Sequence, residues 1–291
     1  MPVVSICCLT FNHEKFIRDA IEGFLMQETT FPVEILITDD ASTDDNAAII
    51  REYEQAHPQL FKVVCNEVNQ YSQGGHPGKS TRDRARGEFI AMCEGDDYWT
   101  CKDKLQKQVR ILEGDPGVSL VFHDAHVMDA DGRLVRMHPD MQQTIFHIGD
   151  IMRPWFIPTA SMVFRRMAIA DLPKWSKDCQ SGDIILQLFC ALHGCFHFIK
   201  EPMSVYRKHS GGISAGITGI NTIAMRAYIY ESFNIHTNRK YEGQLRKALE
   251  MEVWLHTPEL RDLGIQKARH WRYHAALIRH KLKVFLGMGK S

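Results

Sequence analysis

Glu34-Ile35-Leu36-Ile37-Thr38-Asp39-Asp40-Ala41-Ser42-Thr43-Asp44 is an apolar run that ends abruptly in two adjacent carboxylates and a polar turn. Val33 to Thr38 reads as a strand buried on both faces, because it lacks the polar–apolar alternation of a half-exposed strand. The same kind of run precedes it at Val3 to Leu9 and follows it at Phe61 to Cys65 and at Glu88 to Cys93. Helical periods lie between them. Phe16, Ile17, Ala20, Ile21, Phe24 and Leu25 share one face; a second helix ends near His57-Pro58; and Leu105, Val109 and Leu112 mark a third that stops at Gly114-Asp115-Pro116. A long Gly-rich loop fills Glu67 to Lys79. Strands alternating with helices predict an α/β fold, a mostly parallel, doubly wound sheet with helices on both faces. In such sheets ligands bind beyond the carboxyl ends of the strands, where two acidic pairs fall, Asp39-Asp40 and Asp96-Asp97. Adjacent carboxylates repel, and a hard divalent cation carrying a diphosphate is a natural counter-charge. The alternative is that each Asp caps a turn or helix.

The second half reads differently. Val118 to Phe122 and Thr159 to Phe164 are strand candidates, and Asp129-Ala130-Asp131-Gly132 has hairpin chemistry. A helix starts at Ser181-Gly182-Asp183 and runs to His193, a strand follows at Cys195 to Ile199, and the pattern is helical from about Asn221 to the end. The expected division is a catalytic domain over residues 1–215, with a nucleotide-binding half at 1–115 and an acceptor half at 116–215, and a helical region at 216–291.

Composition narrows the class. The 291 residues carry 35 Lys and Arg against 35 Asp and Glu, so no uniform basic field marks the chain for nucleic acid. The eight cysteines show no disulfide framework, and several sit in strand-like runs as reduced thiols do. With no signal-peptide pattern at Met1, a cytoplasmic location is expected.

Taken in order, Val4-Ser5-Ile6, Thr10-Phe11-Asn12, the Glu34 to Asp44 stretch, Gly87-Glu88-Phe89-Ile90 and Glu94-Gly95-Asp96-Asp97-Tyr98-Trp99 resemble the family 2 glycosyltransferases of the GT-A fold. The match covers roughly the first 115 residues, with weaker features to about residue 215. The resemblance implies an inverting enzyme that moves a sugar from a nucleotide-diphosphate sugar, UDP preferred, to an acceptor hydroxyl. It extends to bacterial enzymes of surface glycan assembly, whose acceptors are glycans or lipid-linked glycans. It assigns Thr10, Phe11, Asn12 and Asp40, with Asp39 beside it, to the nucleotide base, and Asp96 to the ribose. It assigns Asp97 to Mn²⁺ or Mg²⁺ on the diphosphate. Arg82 or Arg86 approaches the phosphates. Asp183, after Gly182, is the general base; its bland reading is a first-turn carboxylate favoured by the helix dipole. Tyr206-Arg207-Lys208-His209 is similar to the family's Tyr-Arg-x-His segment, so His209 completes the metal shell or contacts phosphate. Glu94, Trp99 and Trp155 are candidates for the donor or acceptor sugar, although core packing is the commoner use of a Trp. Glu94-Gly95 departs from the many relatives that carry a further Asp just before the pair.

Rival patterns fail. Gly78-Lys79-Ser80 imitates the end of a P-loop, but Gln73 stands where its first Gly belongs. No G-x-G-x-x-G follows the first strand, and Cys190, His193, Cys195 and His197 match no structural-zinc spacing. A sugar nucleotidyltransferase needs a Gly-rich, Arg-containing loop after the first strand, where this chain has Thr10 to Lys15. A catalytically inactive nucleotide-sugar or glycan binder is the other alternative, with Asp97 and Asp183 arguing against it. Finally, Ala268, Trp271, Ala275, Ile278, Leu282 and Phe285 share one helix face among basic and neutral residues. Such a stripe suits peripheral attachment to an anionic membrane surface, or packing against the catalytic domain or a second subunit.

Overall fold

The computed structural model describes residues 1–179, 182–212 and 220–256. Ser181 and the Ala268 to Phe285 stripe lie outside the described residues. The chain forms two compact units, the first comprising Met1–His147, Ile157–Pro173 and Phe189–His209.

The first unit holds the sheet. β1 (Val4–Thr10) is flanked in parallel by β2 (Val33–Asp39) and β4 (Phe89–Met92), and β2 pairs in parallel with β3 (Phe61–Cys65). Between these strands run α1 (Ile17–Leu25), α2 (Asn46–Ala56) and the short α3 (Pro77–Asp83), and α4 (Lys104–Gly114) comes after the two-residue β5 (Tyr98–Trp99). β1 is central, so its apolar residues are buried on both faces. The buried Ser5 hydroxyl in its first half donates to Glu34 Oε1 at 2.6 Å and accepts from the Gly87 N–H at 2.8 Å. Gly87 comes so close that a Cβ there would lie 2.6 Å from the Ser5 nitrogen, which excludes any larger residue.

The remaining strands are β6 (Val118–Met128), β7 (Leu134–Arg136), β8 (Ile145–Phe146), β9 (Val163–Arg165) and β10 (Cys195–Arg207), in the order β3-β2-β1-β4-β9-β6-β10-β5. β7 pairs with β6, and β8 with β10. The long pairings are parallel, including β6 with β10; β9 runs antiparallel between β4 and β6. The sheet is thus mixed but mostly parallel. The Asp129 to Gly132 turn joins β6 to antiparallel β7, with Gly132 at φ 79°.

Several boundaries differ from the sequence expectation for physical reasons. The 67–79 segment is not all loop, because Pro77 opens α3 at a position where its missing N–H costs nothing. The expected strand at Thr159 begins as a 3₁₀ turn, Thr159–Ser161, because the Ser161 N–H and hydroxyl both donate to the Pro158 carbonyl, at 3.0 and 2.7 Å. β6 runs past Phe122 because buried Asp124 is satisfied there. It accepts the Ala125 and His138 N–H groups at 2.8 and 3.0 Å and pairs with Arg136 at 2.5 Å. β10 continues past Ile199 by shifting register on both sides of Pro202.

The second unit gathers Ile148–Phe156, Lys174–Leu188 and the described residues from Ser210 onward. It contains α5 (Ile148–Ile151), the start of α6 (Gly182–Leu192), α7 (Ile220–His236) and α8 (Glu242–His256). α7 ends where Asn238 and Arg239 adopt positive φ, and buried Arg226 pairs with Glu252 of α8 at 3.3 Å. The Tyr230 hydroxyl donates to the Arg153 carbonyl at 3.3 Å. No helix among the described residues is long and apolar enough to cross a membrane.

Candidate active site

The carboxyl ends of β1, β2, β4 and β10 supply the candidate residues of the first unit. At the end of β2 the two carboxylates turn to different loops. Asp39 accepts the Ser42 hydroxyl and N–H and, at 2.6 Å, the Asn46 amide; Asn46 Oδ1 in turn accepts the Thr10 hydroxyl at 3.1 Å. Asp40 accepts Asn66 Nδ2 at 2.8 Å and the Gln70 and Tyr71 N–H groups at 2.9 and 3.0 Å. Repulsion within this pair is therefore relieved by protein donors and needs no cation. The side chains of Thr10, Asp39 and Asp40 are buried and hold the loops in shape. Phe11 is 41% exposed, and Asn12, at φ 55°, accepts the Thr43 N–H at 2.8 Å.

The pair after β4 behaves differently. Asp97 is fully buried; Oδ1 accepts the Arg207 N–H at 2.9 Å, and Oδ2 is buried with no hydrogen-bond partner. Burial, with Asp96 beside it, pushes the Asp97 carboxyl well above the usual carboxylate range. Asp96 Oδ2 lies 3.1 Å from His209 Nε2 and 3.7 Å from His13 Nε2. Burial pulls the His13 imidazole below its ordinary range, which favours its neutral, ligating form. Arg207 fixes the turn from behind: its guanidinium donates to the Asp96 carbonyl at 2.9 Å, reaches Asp19 and stacks 4.3 Å from the Tyr98 ring. Gly95 is required by contact, since a Cβ there would sit 2.4 Å from Thr10 Oγ1.

Among the described residues two groups bring their ligand atoms within 4.8 Å of one another: His13, Asp96 and His209, and Glu94, Asp96 and Asp97. The three carboxylates of the second group, one Asp97 oxygen among them buried and unpartnered, fit a hard divalent ion of the Mn²⁺ or Mg²⁺ kind. His13 was not singled out by the sequence, because only the fold brings positions 13, 96 and 209 together. The signal available was its place in the loop after β1.

The two arginine candidates separate clearly. Arg86 is bound to Glu34 at 2.9 and 2.5 Å, and together with Ser5 it holds the Glu34 carboxyl low despite the opposing effect of burial. Arg82, half-buried in α3, has an Nε with no hydrogen-bond partner, and burial lowers its pKa. Trp99 is corrected: it is 2% exposed and its indole N–H donates to the Ala160 carbonyl at 2.8 Å, so it packs in the core and presents no face to a sugar. In the second unit Asp183 lies in the first turn of α6, and the Trp155 indole N–H donates to its Oδ2 at 2.9 Å.

Residues 5–171 match the model of glycosyl transferase family 2. The uncharacterized protein Rv1520 of Mycobacterium tuberculosis is 38% identical over 213 residues, which is 72% of this chain and 60% of that protein. The chain thus spans about 60% of the length of this relative and of its two Mycobacterium counterparts of equal identity. Among solved structures, TarS 1-349 of S. aureus in complex with UDP-GlcNAc superposes with a TM-score of 0.67 at 17% identity, covering 90% of this chain and 76% of that one. The mannosyltransferase PcManGT of Pyrobaculum calidifontis, in complex with GDP-Man and Mn²⁺, gives 0.60 at 18% identity, covering 97% and 83%. With strand-end carboxylates in this order and a family match over more than half its length, the chain belongs to the family 2 glycosyltransferases and has their GT-A fold.

Proposed function

We propose that this glycosyltransferase is metal-dependent and inverting, and that it moves a sugar from a UDP-sugar to an acceptor hydroxyl in the assembly of a bacterial surface glycan. One observation carries the reading: the buried, unpartnered Asp97 oxygen beside Asp96, which two imidazoles approach. A divalent ion bound there supplies charge relief for the departing diphosphate. Asp97 and Asp96, with His209, His13 and Glu94 around them, hold it. Arg82 offers an unpaired guanidinium to the phosphates. Phe11 and Asn12 sit at the nucleotide base, on loops that Thr10, Asp39 and Asp40 keep in shape.

Asp183 is the proposed base. It takes the proton from the acceptor hydroxyl as that oxygen bonds to the anomeric carbon and the bond to the diphosphate oxygen breaks, which inverts the configuration. The Trp155 N–H fixes one carboxylate oxygen and leaves the other for the proton. UDP is preferred on the precedent of the UDP-GlcNAc complex of TarS; a GDP-sugar is the second reading, on that of PcManGT. The acceptor is a glycan or a lipid-linked glycan. The latter suits peripheral binding of the Ala268 to Phe285 stripe to the inner face of the plasma membrane.

Incubation with a panel of UDP-, GDP- and dTDP-sugars and Mn²⁺ is expected to release one nucleotide diphosphate in an acceptor-stimulated reaction; no release from any donor overturns the activity. Arg82→Ala is expected to weaken nucleotide-diphosphate binding about tenfold, the order of one charge-assisted contact. Arg86→Ala is expected to leave that affinity intact and to cost about 1 kcal/mol of stability, because Arg86 is largely exposed while Glu34 keeps its other donors. Titration calorimetry and urea unfolding check the pair, and equal effects on affinity would assign the phosphate contact to neither residue.

A further inference from the structure

Behind the Asp96-Asp97 turn lies a buried lysine that the proposed chemistry does not use. Lys104, at the start of α4, is fully buried, and its ammonium donates to Gln108 Oε1 at 2.8 Å and sits 3.9 Å from the centroid of the Trp99 ring. Gln108, also fully buried, donates through Nε2 to the carbonyls of Val121 and Ser161, at 3.0 and 2.8 Å. Trp99 donates to the neighbouring Ala160 carbonyl and packs edge-on against Phe24 at 4.9 Å. Two adjacent carbonyls of the 159–161 turn are thus held by two side chains, and one ammonium touches both. Trp99 comes two residues after Asp97, and β5 pairs it with Ser204 of β10, the strand whose far end carries Arg207.

We propose that Lys104 and Gln108 are positioning residues: a buried brace that holds Trp99, and through it the Asp96-Asp97 turn, against Ala160-Ser161, with a grip that depends on the charge of Lys104. A buried ammonium is costly unless something compensates it, and here the compensation is one amide oxygen and one aromatic face. A hydrophobic residue of similar volume fills such a site without that cost, so fold stability alone gives no reason for a lysine. Burial lowers the Lys104 pKa to about 7, so the brace titrates near neutrality. The titratable groups bearing on it are the thiols of Cys93 and Cys101 and the imidazole of His123, which burial holds neutral. The sign follows. Below neutrality Lys104 is charged and the cation–π contact is made; above it the ammonium loses its proton and the contact weakens.

The proposal rests on the reading of the Asp96-Asp97 turn as the donor site, and its test separates the two. Trp99 emission, taken as the difference between the wild type and Trp99→Phe, is expected to step near pH 7. The step should vanish in Lys104→Met, which is neutral at every pH, and in Lys104→Arg, which is charged at every pH. The dissociation constant for UDP or GDP with Mn²⁺ should rise about fivefold from pH 6 to pH 9 beyond whatever rise Lys104→Met shows, as loss of a cation–π contact implies. Comparison with the variant removes the contribution of His13 and His209. A Trp99 step that survives in Lys104→Met, or nucleotide binding with the same pH profile in both proteins, overturns the brace. Failure of the wild type to bind either nucleotide overturns the donor-site reading, while the emission step still reports on the lysine.

Discussion

Asp97→Asn is expected to lower turnover by about 10³ while the protein melts no lower than the wild type in metal-free buffer. Asparagine keeps an oxygen for the Arg207 N–H but removes a carboxyl that burial makes costly to ionise and whose second oxygen is unpartnered. Such a group costs the fold stability and is worth retaining only for what it binds. A structural carboxylate would behave the other way, as Asp40 should, since three protein donors surround it. Thermal melting beside a nucleotide-release assay distinguishes them. A variant that loses stability and keeps its activity would show that Asp97 only shapes the turn.

Asp183→Asn is expected to reduce kcat by about 10²–10⁴, the range for loss of a general base, with nucleotide affinity changed by less than about twofold. Trp155 can still donate to the amide oxygen, so the local geometry survives and the effect reads as lost basicity. Single-turnover rates and calorimetry with the donor nucleotide measure the two quantities. A product that retains the anomeric configuration of the donor, seen by NMR, would exclude the direct displacement assigned to Asp183.

The first half of the fold was legible because parallel strands buried on both faces write themselves as unbroken apolar runs; β1, β2 and β3 fall within a residue or so of their expected bounds. β6 and β10 were read short for the opposite reason. Each continues through a polar residue or a proline, and the compensating partners of Asp124, Arg136 and His138, lie beyond a turn. The interleaving of the two units was hidden too, since periodicity does not say which segments return to pack together. At the site, the strand-end carboxylates could be found from the sequence, but their states could not. Asp39-Asp40 and Asp96-Asp97 look alike as letters, yet one pair is fully satisfied by loop donors and the other is not. The choice between Arg82 and Arg86 turned on Glu34, some fifty positions away, and Trp99 looked like a sugar platform only because its place beside the motif says nothing of its burial.

In the proposed site the turn after β4, with the imidazoles of His13 and His209, holds a nucleotide diphosphate through a divalent ion. Calorimetric titration of the wild-type protein with UDP and with GDP, in Mn²⁺ and again in excess EDTA, tests it most directly. One nucleotide is expected to bind in Mn²⁺, and that binding to be lost in EDTA. Equal affinity with and without the metal would contradict it.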